Sequence, residues 1–166
     1  MKEKVLYLDI DGVLNNQEDF EHLISKDFKD PDNYLLFDTG HFVCKKKLNL
    51  LKDLINENDL SVVVVSSWPH RLKGHQNVCD FLGIPCYGEE GSFSGGFVRE
   101  KRIKQHVIDN EIKDYVVIDD AGDNGYTDMK NLITVDGSVG LTKEDILKAN
   151  KIFKRNKRNK RKRKPA

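Results

Sequence analysis

Two aspartates near the start of the chain have a spacing that suits acid–base or metal chemistry. Asp9 and Asp11 follow the apolar run at residues 5–8 and precede Gly12, at which the backbone can turn sharply. The apolar run is typical of a strand that is buried on both faces in a parallel sheet. Because buried carboxylates need a metal ion or hydrogen bonds to compensate their charge, we expect them to face a ligand site. Taken alone, the motif is explained equally well by an acidic turn after a strand.

Reactive side chains also follow two later strands. Ser66 and Ser67 come directly after a run of valines, and Asp119 and Asp120 come directly after another apolar run. The carboxyl ends of parallel strands lie along one edge of a sheet, where open α/β sheets bind their ligands. We therefore expect these hydroxyls and carboxylates to converge with the first acidic pair.

A group of cations begins the helix that is predicted over residues 99–111. Arg99, Lys101 and Lys104 lie near its start, where the helix dipole favours acidic residues instead. A solvated basic face explains these cations without any ligand. A phosphate held nearby explains them as well, because the same charges would bind it.

Together these groups supply the parts of a phosphate-ester hydrolase. Two or three carboxylates with backbone oxygens form the hard-oxygen set that suits Mg²⁺. One carboxylate can attack phosphorus and form an aspartyl phosphate, and a second can protonate the leaving oxygen and later activate water. A serine hydroxyl and a cationic side chain can hold the remaining phosphoryl oxygens. The substrate that this set predicts is a phosphomonoester.

The elements that carry these groups alternate between strands and helices. Buried strands are predicted at residues 5–8, 61–65, 83–87, 115–118 and 132–135. Helices are predicted at residues 45–58, 69–82, 99–111, 128–131 and 142–153. This alternation predicts an α/β fold, a three-layer Rossmann-like sandwich with a central parallel sheet of about five strands. Residues 16–44, with a short helix over 18–28, are expected to form a small cap insert packed over the end of the first strand.

The charge of the chain is divided between an acidic body and a basic end. The net charge is +1, but ten of the 28 lysines and arginines lie at or after Lys151, where no Asp or Glu occurs. The preceding residues therefore carry 18 basic against 27 acidic residues. We expect a phosphatase domain over 1–153 and a basic, disordered tail over 154–166. The tail either contacts a nucleic acid or serves as a solvated or targeting segment.

The composition is typical of an intracellular protein. Three cysteines without a CxxC pair indicate reduced thiols in the cytoplasm. No stretch approaches the roughly 20 apolar residues of a membrane span, and the start lacks the apolar core of a signal peptide. We therefore expect a cytoplasmic protein without a membrane partner, and the sequence leaves its oligomeric state open.

The four motifs, in this order, resemble those of the haloacid dehalogenase-like (HAD) phosphatase superfamily. They are Asp9-Ile10-Asp11-Gly12-Val13, the strand that ends at Ser66, the basic helix start, and the strand that ends at Asp119-Asp120. Further residues resemble a subgroup found in RNA-repair proteins, which is similar to the phosphatase half of polynucleotide kinase-phosphatases. These residues are Leu14-Asn15, Ser66-Ser67-Trp68, Arg99 ahead of Ile103, and Gly140-Leu141-Thr142.

The resemblance implies a role for each matching position. Asp9 is expected to be the nucleophile and a Mg²⁺ ligand. Asp11 is expected to be the general acid and base, with its backbone carbonyl also on the metal. Asp120 is expected to complete the metal site with support from Asp119, and Ser66 to hold the phosphoryl group.

Other positions keep more than one interpretation. Ser67 and Trp68 are expected to line the pocket, although Trp68 is also explained as a packing residue at a strand–helix junction. The cation of the third motif is Arg99, which aligns with the subgroup, or Lys101, which has the usual residue type, or Lys104. The sequence does not choose among these three.

Three functions are compatible with these motifs. The RNA-repair resemblance and the basic tail favour a phosphohydrolase that acts on a terminal phosphate of a nucleic acid or nucleotide. A small-metabolite phosphatase would use the same catalytic residues, and its tail would serve only localisation. A non-catalytic nucleic-acid-binding module on a HAD fold is the third interpretation, and the intact Asp9 and Asp11 argue against it.

Overall fold

A central parallel sheet positions the rest of the chain. The computed structural model describes residues 4–37, 40–88 and 96–162, with side chains over 4–37, 40–88 and 99–157. In chain order, the strands are β1 (Lys4–Leu8), β2 (Tyr34–Leu36), β3 (Phe42–Cys44), β4 (Ser61–Val64), β5 (Asp114–Asp119) and β6 (Leu132–Thr134). The helices are α1 (Gln17–Ser25), α2 (Lys45–Asn58), α3 (Trp68–Arg71), α4 (His75–Leu82), α5 (Gly96–Asp109) and α6 (Lys143–Lys162). The sheet has the order β4-β1-β5-β6, and each of its pairings is parallel.

The sheet is covered by helices on both faces. On one face, Leu6 and Leu8 of β1 belong to the larger apolar cluster, which includes residues of α2, α4 and α6. On the other face, Val5 and Tyr7 pack in a second cluster with Ile103 of α5. Since β1 is apolar on both faces and hydrogen-bonded along both edges, it occupies the middle of the sandwich. The predicted three-layer Rossmann-like α/β fold is therefore confirmed.

The sheet has four strands among the described residues, where the sequence predicted about five. Residues 83–87 make a single bridge, between Cys86 and Val62, at the outer edge of β4. Pro85 lies inside this segment and has no N–H to donate to a ladder, which limits the pairing.

Two predicted helices differ in the structure. The helix predicted over 69–82 is divided into α3 and α4, because Lys73 and Gly74 have φ values of 58° and 126°. Residues 128–131 form no helix, because the backbone N–H groups at Thr127 and Asp128 donate to the Glu100 carboxylate. A 3₁₀ turn at Gly122–Asn124 lies earlier in the same loop.

The insert after β1 contains α1 and a hairpin of β2 and β3 that the sequence did not predict. Leu23, Tyr34 and Phe42 form its own small apolar cluster. Asn16 caps α1, since its Oδ1 accepts a hydrogen bond of 2.8 Å from the Asp19 N–H. The β-strands of the hairpin are only three residues long, too short for an alternating pattern to indicate them.

The last helix runs along the domain from the carboxyl ends of the parallel strands to their amino ends. It begins beside the turn that follows β1, where the Leu141 N–H donates to the Val13 carbonyl at 2.8 Å. Near its other end, Arg155 Nη2 donates at 3.3 Å to Oδ1 of Asn131, which precedes β6. The C-terminal part of this helix therefore lies at the amino ends of the strands, opposite to the carboxyl ends that carry the predicted site residues.

α6 also continues past its predicted end near residue 153. The backbone of residues 154–162 is helical, where the sequence predicted a disordered tail; residues 163–166 lie outside the described residues. Lys and Arg are good helix formers, and cations near the C-terminus of a helix interact favourably with its dipole. Within the described part of the chain, no helix is both long and apolar enough to cross a membrane.

A buried ion pair ties the insert to the body and provides a test of the fold. Lys47 of α2 and Asp19 of α1 are each 9% exposed and form an ion pair. Asp19 Oδ1 also accepts a hydrogen bond of 3.2 Å from the Tyr34 hydroxyl. Asp19→Ala leaves the ammonium group buried without its carboxylate, so we expect the free energy of unfolding to fall by about 3 kcal/mol in urea denaturation.

Glu18→Ala is the matched control, because Glu18 is the exposed acidic neighbour on the same helical turn. We expect it to change the free energy of unfolding by less than about 0.5 kcal/mol. The double variant Asp19→Ala/Lys47→Met is expected to recover part of the loss. Equal effects of Asp19→Ala and Glu18→Ala would contradict the assignment.

Candidate active site

The predicted site residues lie together at one edge of the sheet. Leu8 pairs with Val64 on one side and with Ile118 on the other, so the three strands end at the same level. The Asp9 N–H donates to the Ile118 carbonyl at 2.9 Å, which brings Asp9 beside Asp119. Side-chain oxygens of Asp9, Asp119 and Asp120 lie within 4.8 Å of one another.

A cavity of about 610 Å³ opens above these strand ends. It is lined by Asp9, Asp11, Gly12, Asn15, Asn16, Gln17, Phe20, Phe42, Ser66, Ser67, Arg99, Asp120, Ala121 and Gly137. Asp119 lies beneath it and is fully buried. Of the residues that the sequence singled out for the site, Asp119, Lys101, Lys104 and Trp68 are absent from this lining; Trp68 was expected to line the pocket together with Ser67.

Asp9 lies at the floor of the cavity in an unfavourable environment for a negative charge. Burial, and then the neighbouring Asp119 carboxylate, raise the pKa of Asp9 to about 8. Arg99 opposes this rise, with Nη1 at 3.5 Å from Asp9 Oδ1. A cation bound at the cavity would favour the ionised form of Asp9 further.

Asp119 is compensated by three donors that fix its position. Arg99 forms an ion pair with its Oδ2, and the Tyr126 hydroxyl donates to the same oxygen at 2.7 Å. The Ala121 N–H donates to Oδ1 at 2.8 Å. Asp119 therefore orients Arg99 toward the cavity, and no sequence motif indicated the contribution of Tyr126.

Asp120 is enclosed by two glycines. A Cβ added at Gly12 would lie 2.2 Å from Asp120 Oδ2, and one added at Gly137 would lie 2.6 Å from the same atom. Gly12 also has a φ of +78°, a backbone conformation that residues other than glycine rarely adopt. Burial, and then the Asp119 carboxylate, raise the pKa of Asp120. The close approach of both backbones keeps this carboxylate directed at the cavity.

Asp11 is held by two neutral donors. Its Oδ1 accepts hydrogen bonds of 3.1 Å from Trp68 Nε1 and 3.1 Å from Asn15 Nδ2. The Asn15 amide is itself fixed, because it accepts from the Gly12 N–H and donates to the Phe42 carbonyl at 2.9 Å. Trp68 is buried as a packing residue, and it also orients Asp11 by this hydrogen bond. Oδ2 of Asp11 is left for a substrate or water.

A family model described as the HAD domain in Swiss Army Knife RNA repair proteins matches residues 5–146. The chain belongs to this family. No curated protein and no solved structure matches it. The predicted resemblance is thus confirmed, and family membership supports a phosphohydrolase-type function for this HAD domain.

The structure separates the three cations that the sequence left open. Arg99 reaches both Asp9 and Asp119 and lines the cavity of the HAD domain. Lys101 is exposed, and Lys104 pairs with Glu100 at 2.6 Å. Of the three, Arg99 is the one positioned to contact a bound phosphate.

Ser66 and Glu100 complete the site in different ways. Ser66 is buried at the cavity, and its Oγ accepts a hydrogen bond of 3.1 Å from the Trp68 N–H. Glu100 accepts from the backbone N–H groups of Thr127 at 2.6 Å and Asp128 at 3.1 Å. The hydrogen bond from Lys104, and then the Thr127 N–H, lower the pKa of Glu100 to about 2. Glu100 thus attaches the loop after β5 to α5. Glu100 was not predicted from the sequence, although an acidic residue between Arg99 and Lys101 could have drawn attention to it.

The donor chemistry of the HAD domain fits a hard divalent cation. The carboxylates of Asp9, Asp119 and Asp120 are all within reach of one ion, and carboxylate oxygens are the ligands that Mg²⁺ prefers. HAD proteins generally use Mg²⁺, and the acidic cluster of this chain is consistent with that use. Because Asp119 is already held by Arg99 and Tyr126, Asp9 and Asp120 are the carboxylates best placed to hold the ion.

The raised pKa of Asp120 predicts how stability depends on pH. A carboxylate whose pKa is raised in the folded state destabilises that state only when it is ionised. In the presence of EDTA, we therefore expect Asp120→Asn to melt at a higher temperature than wild type near pH 7. The difference is expected to shrink as the pH falls and to vanish below about pH 4.

Magnesium is expected to reverse this ranking. At a Mg²⁺ concentration about ten times Kd, the free energy of unfolding of wild type is expected to rise by about 1.4 kcal/mol. That of Asp120→Asn is expected to rise by less. Gly137→Ala is the matched control: it keeps the charge but places a methyl group 2.6 Å from Asp120 Oδ2. We expect Gly137→Ala to be stabilised less by Mg²⁺ than wild type. In EDTA we expect it not to show the higher melting temperature of Asp120→Asn. Equal Mg²⁺ gains in all three proteins would contradict the site.

Proposed function

We propose that this HAD domain is a Mg²⁺-dependent phosphohydrolase that forms an aspartyl phosphate on Asp9. We further propose that its substrate is a terminal phosphate of a nucleic acid or nucleotide. The observation that supports the proposal is that Asp9, Asp11, Asp120, Arg99 and Ser66 all line one cavity, with the carboxylates of Asp9 and Asp120 close together. The groups come from the ends of three adjacent parallel strands and from the start of α5.

In the first half-reaction, a carboxylate oxygen of Asp9 attacks phosphorus, and the bond from phosphorus to the leaving oxygen breaks. The Ser66 hydroxyl and the Arg99 guanidinium bind the non-bridging phosphoryl oxygens. Asp11, held at Oδ1 by two neutral donors, transfers a proton from Oδ2 to the leaving oxygen. The leaving group departs as an alcohol.

In the second half-reaction, Asp11 takes a proton from a water molecule, whose oxygen attacks phosphorus. The bond between phosphorus and the Asp9 oxygen breaks, so inorganic phosphate leaves and the carboxylate is restored. Arg99, 3.5 Å from Asp9 Oδ1, favours the ionised nucleophile that each cycle needs. Mg²⁺, when bound by Asp9, Asp120 and the backbone carbonyl of Asp11, supplies positive charge that offsets the phosphoryl oxygens and the carboxylates.

Two observations support a nucleic-acid substrate. The matching family is described by its occurrence in RNA repair proteins, and the C-terminal part of α6 is rich in Lys and Arg. Such cations bind a phosphate backbone with an affinity that falls as salt rises. The basic end of α6 lies at the end of the domain opposite to the cavity. It would therefore contact the nucleic acid at a distance from the terminal phosphate.

The length of α6 sets that distance. Twenty residues at about 1.5 Å per residue extend about 30 Å, which corresponds to about nine base pairs at 3.4 Å each. A single nucleotide in the cavity does not reach the basic end. Dependence on the tail should therefore appear only with longer substrates.

The catalytic roles are tested with an aryl phosphate. Asp9→Asn is expected to abolish Mg²⁺-dependent hydrolysis, because the amide cannot attack phosphorus. Asp11→Asn is expected to lower the steady-state rate by about 10²- to 10⁴-fold. Since a nitrophenolate leaves without protonation, Asp11→Asn should still release a burst of about one nitrophenol per enzyme in stopped-flow absorbance.

Asp123→Asn is the matched control, since Asp123 is an exposed acidic residue in the loop after β5 and is not part of the cavity lining. It is expected to hydrolyse the aryl phosphate at the wild-type rate. Equal rates for wild type and Asp9→Asn, or no hydrolysis of any substrate by wild type, would instead favour a non-catalytic binding module.

The substrate class is tested by comparing oligonucleotides with small phosphomonoesters. We expect wild type to hydrolyse terminally phosphorylated oligonucleotides, at one end of the strand, with a higher kcat/KM than sugar phosphates. Deletion of residues 154–166 should lower kcat/KM for a duplex of about 20 base pairs at low salt. The deletion should leave a trinucleotide unaffected. No preference for oligonucleotides with or without the tail would indicate a small-metabolite phosphatase.

A further inference from the structure

The cavity has an aromatic side that the proposed reaction does not use. Phe20 of α1 and Phe42 of β3 both line it, on the side of the insert. Their ring centroids are 6.2 Å apart and their planes are inclined by 20°, so the two rings are stacked. Phe20 remains 38% exposed, so part of its ring is accessible to a ligand.

This aromatic side borders the same cavity as the proposed proton donor, since Asp11, Phe20 and Phe42 all line it. Asn15 Nδ2 donates both to Asp11 Oδ1 at 3.1 Å and to the Phe42 carbonyl at 2.9 Å. The backbone of Phe42 is therefore tied to Asp11 through a single amide group. A leaving group that takes its proton from Asp11 enters a cavity that the two rings also line.

The volume and the chemistry of the cavity indicate what this leaving group carries. A cavity of about 610 Å³ falls in the size range that encloses ligands much larger than a phosphate. Its catalytic floor is charged, whereas the insert side offers an aromatic face and the amide of Gln17. Aromatic faces and amides are the groups that proteins use to stack and read unpaired bases.

We propose that Phe20 is a stacking platform for the nucleobase adjacent to the terminal phosphate. The inference rests on the proposed function and deepens it, because it assigns the substrate class to a residue of the insert. The sugar part of a smaller phosphomonoester would reach the same acid without using the platform.

The test uses two trinucleotides that differ only in one base. Both carry the terminal phosphate at whichever end wild type hydrolyses faster, and one is abasic at the adjacent residue. Stacking is worth about 1–3 kcal/mol per base, so wild type should prefer the base-bearing substrate by roughly 5- to 150-fold in kcat/KM. Phe20→Ala should remove that preference and leave the abasic rate unchanged, whereas Phe20→Trp should retain it.

Phe28→Ala is the matched control for the exposed apolar face of the insert. Phe28 is 43% exposed and contacts the Phe20 ring at 6.3 Å between centroids, but it is not part of the cavity lining. We expect it to keep the wild-type preference. An equal loss in Phe28→Ala and Phe20→Ala would overturn the proposal, because it would indicate an indirect effect through the packing of the insert. An equal loss for both substrates in Phe20→Ala would overturn it in favour of a packing role.

A separate measurement distinguishes failure of the inference from failure of the proposed function. If wild type hydrolyses neither trinucleotide, the proposed phosphohydrolase function fails, and binding then decides the inference. Trp68 is the single tryptophan of the chain and contacts Asp11, so its fluorescence can follow binding of each trinucleotide. Tighter binding of the base-bearing form, lost in Phe20→Ala, would support the platform, and equal binding of both forms would refute it.

Discussion

The structure depends on one electrostatic constraint, the concentration of four carboxylates at a single edge of the sheet. Like charges at this spacing oppose folding, and burial adds to the penalty. Arg99 offsets part of it by pairing with Asp119 and by approaching Asp9. The remaining unfavourable charge would be offset by a cation bound at the cavity. The hydrogen bonds of β1 along both of its edges resist this repulsion and keep the acids in place.

The same edge gives each carboxylate a different environment. Asp119 is fully buried and held by a cation and a tyrosine hydroxyl. Asp11 is exposed and accepts from two neutral donors, so one of its oxygens is oriented without a charge partner. Asp120 is confined by two backbones that approach too closely for any side chain. Differences in burial and in donor type, rather than in residue type, therefore distinguish the environments of four identical side chains.

Sequence patterns were sufficient for the four strands of the parallel sheet and for the convergence of most of the predicted site residues at one end of it. Short apolar runs rich in β-branched residues are typical of strands buried on both faces of a parallel sheet, so β1, β4 and β5, and with them the positions of the acids and Ser66, were predictable. The hydrogen bonds from Trp68 and Asn15 to Asp11 were not, because they depend on side-chain directions across separate elements. That Arg99, and not Lys101, faces the acids depends on how α5 is oriented about its own axis, which the sequence does not show. The hairpin of the insert and the helical extension beyond residue 153 are fixed by tertiary contacts and by local helix propensity, which periodicity does not report.

The direction of α6 has a practical consequence. Its first turn lies at the level of the cavity, and its last described residue lies about 30 Å away along the helix axis. A purification handle, fluorophore or surface linker attached past that residue therefore stays clear of the cavity mouth. The domain can be immobilised by this end on a biosensor chip, in an orientation that leaves the cavity facing the solution.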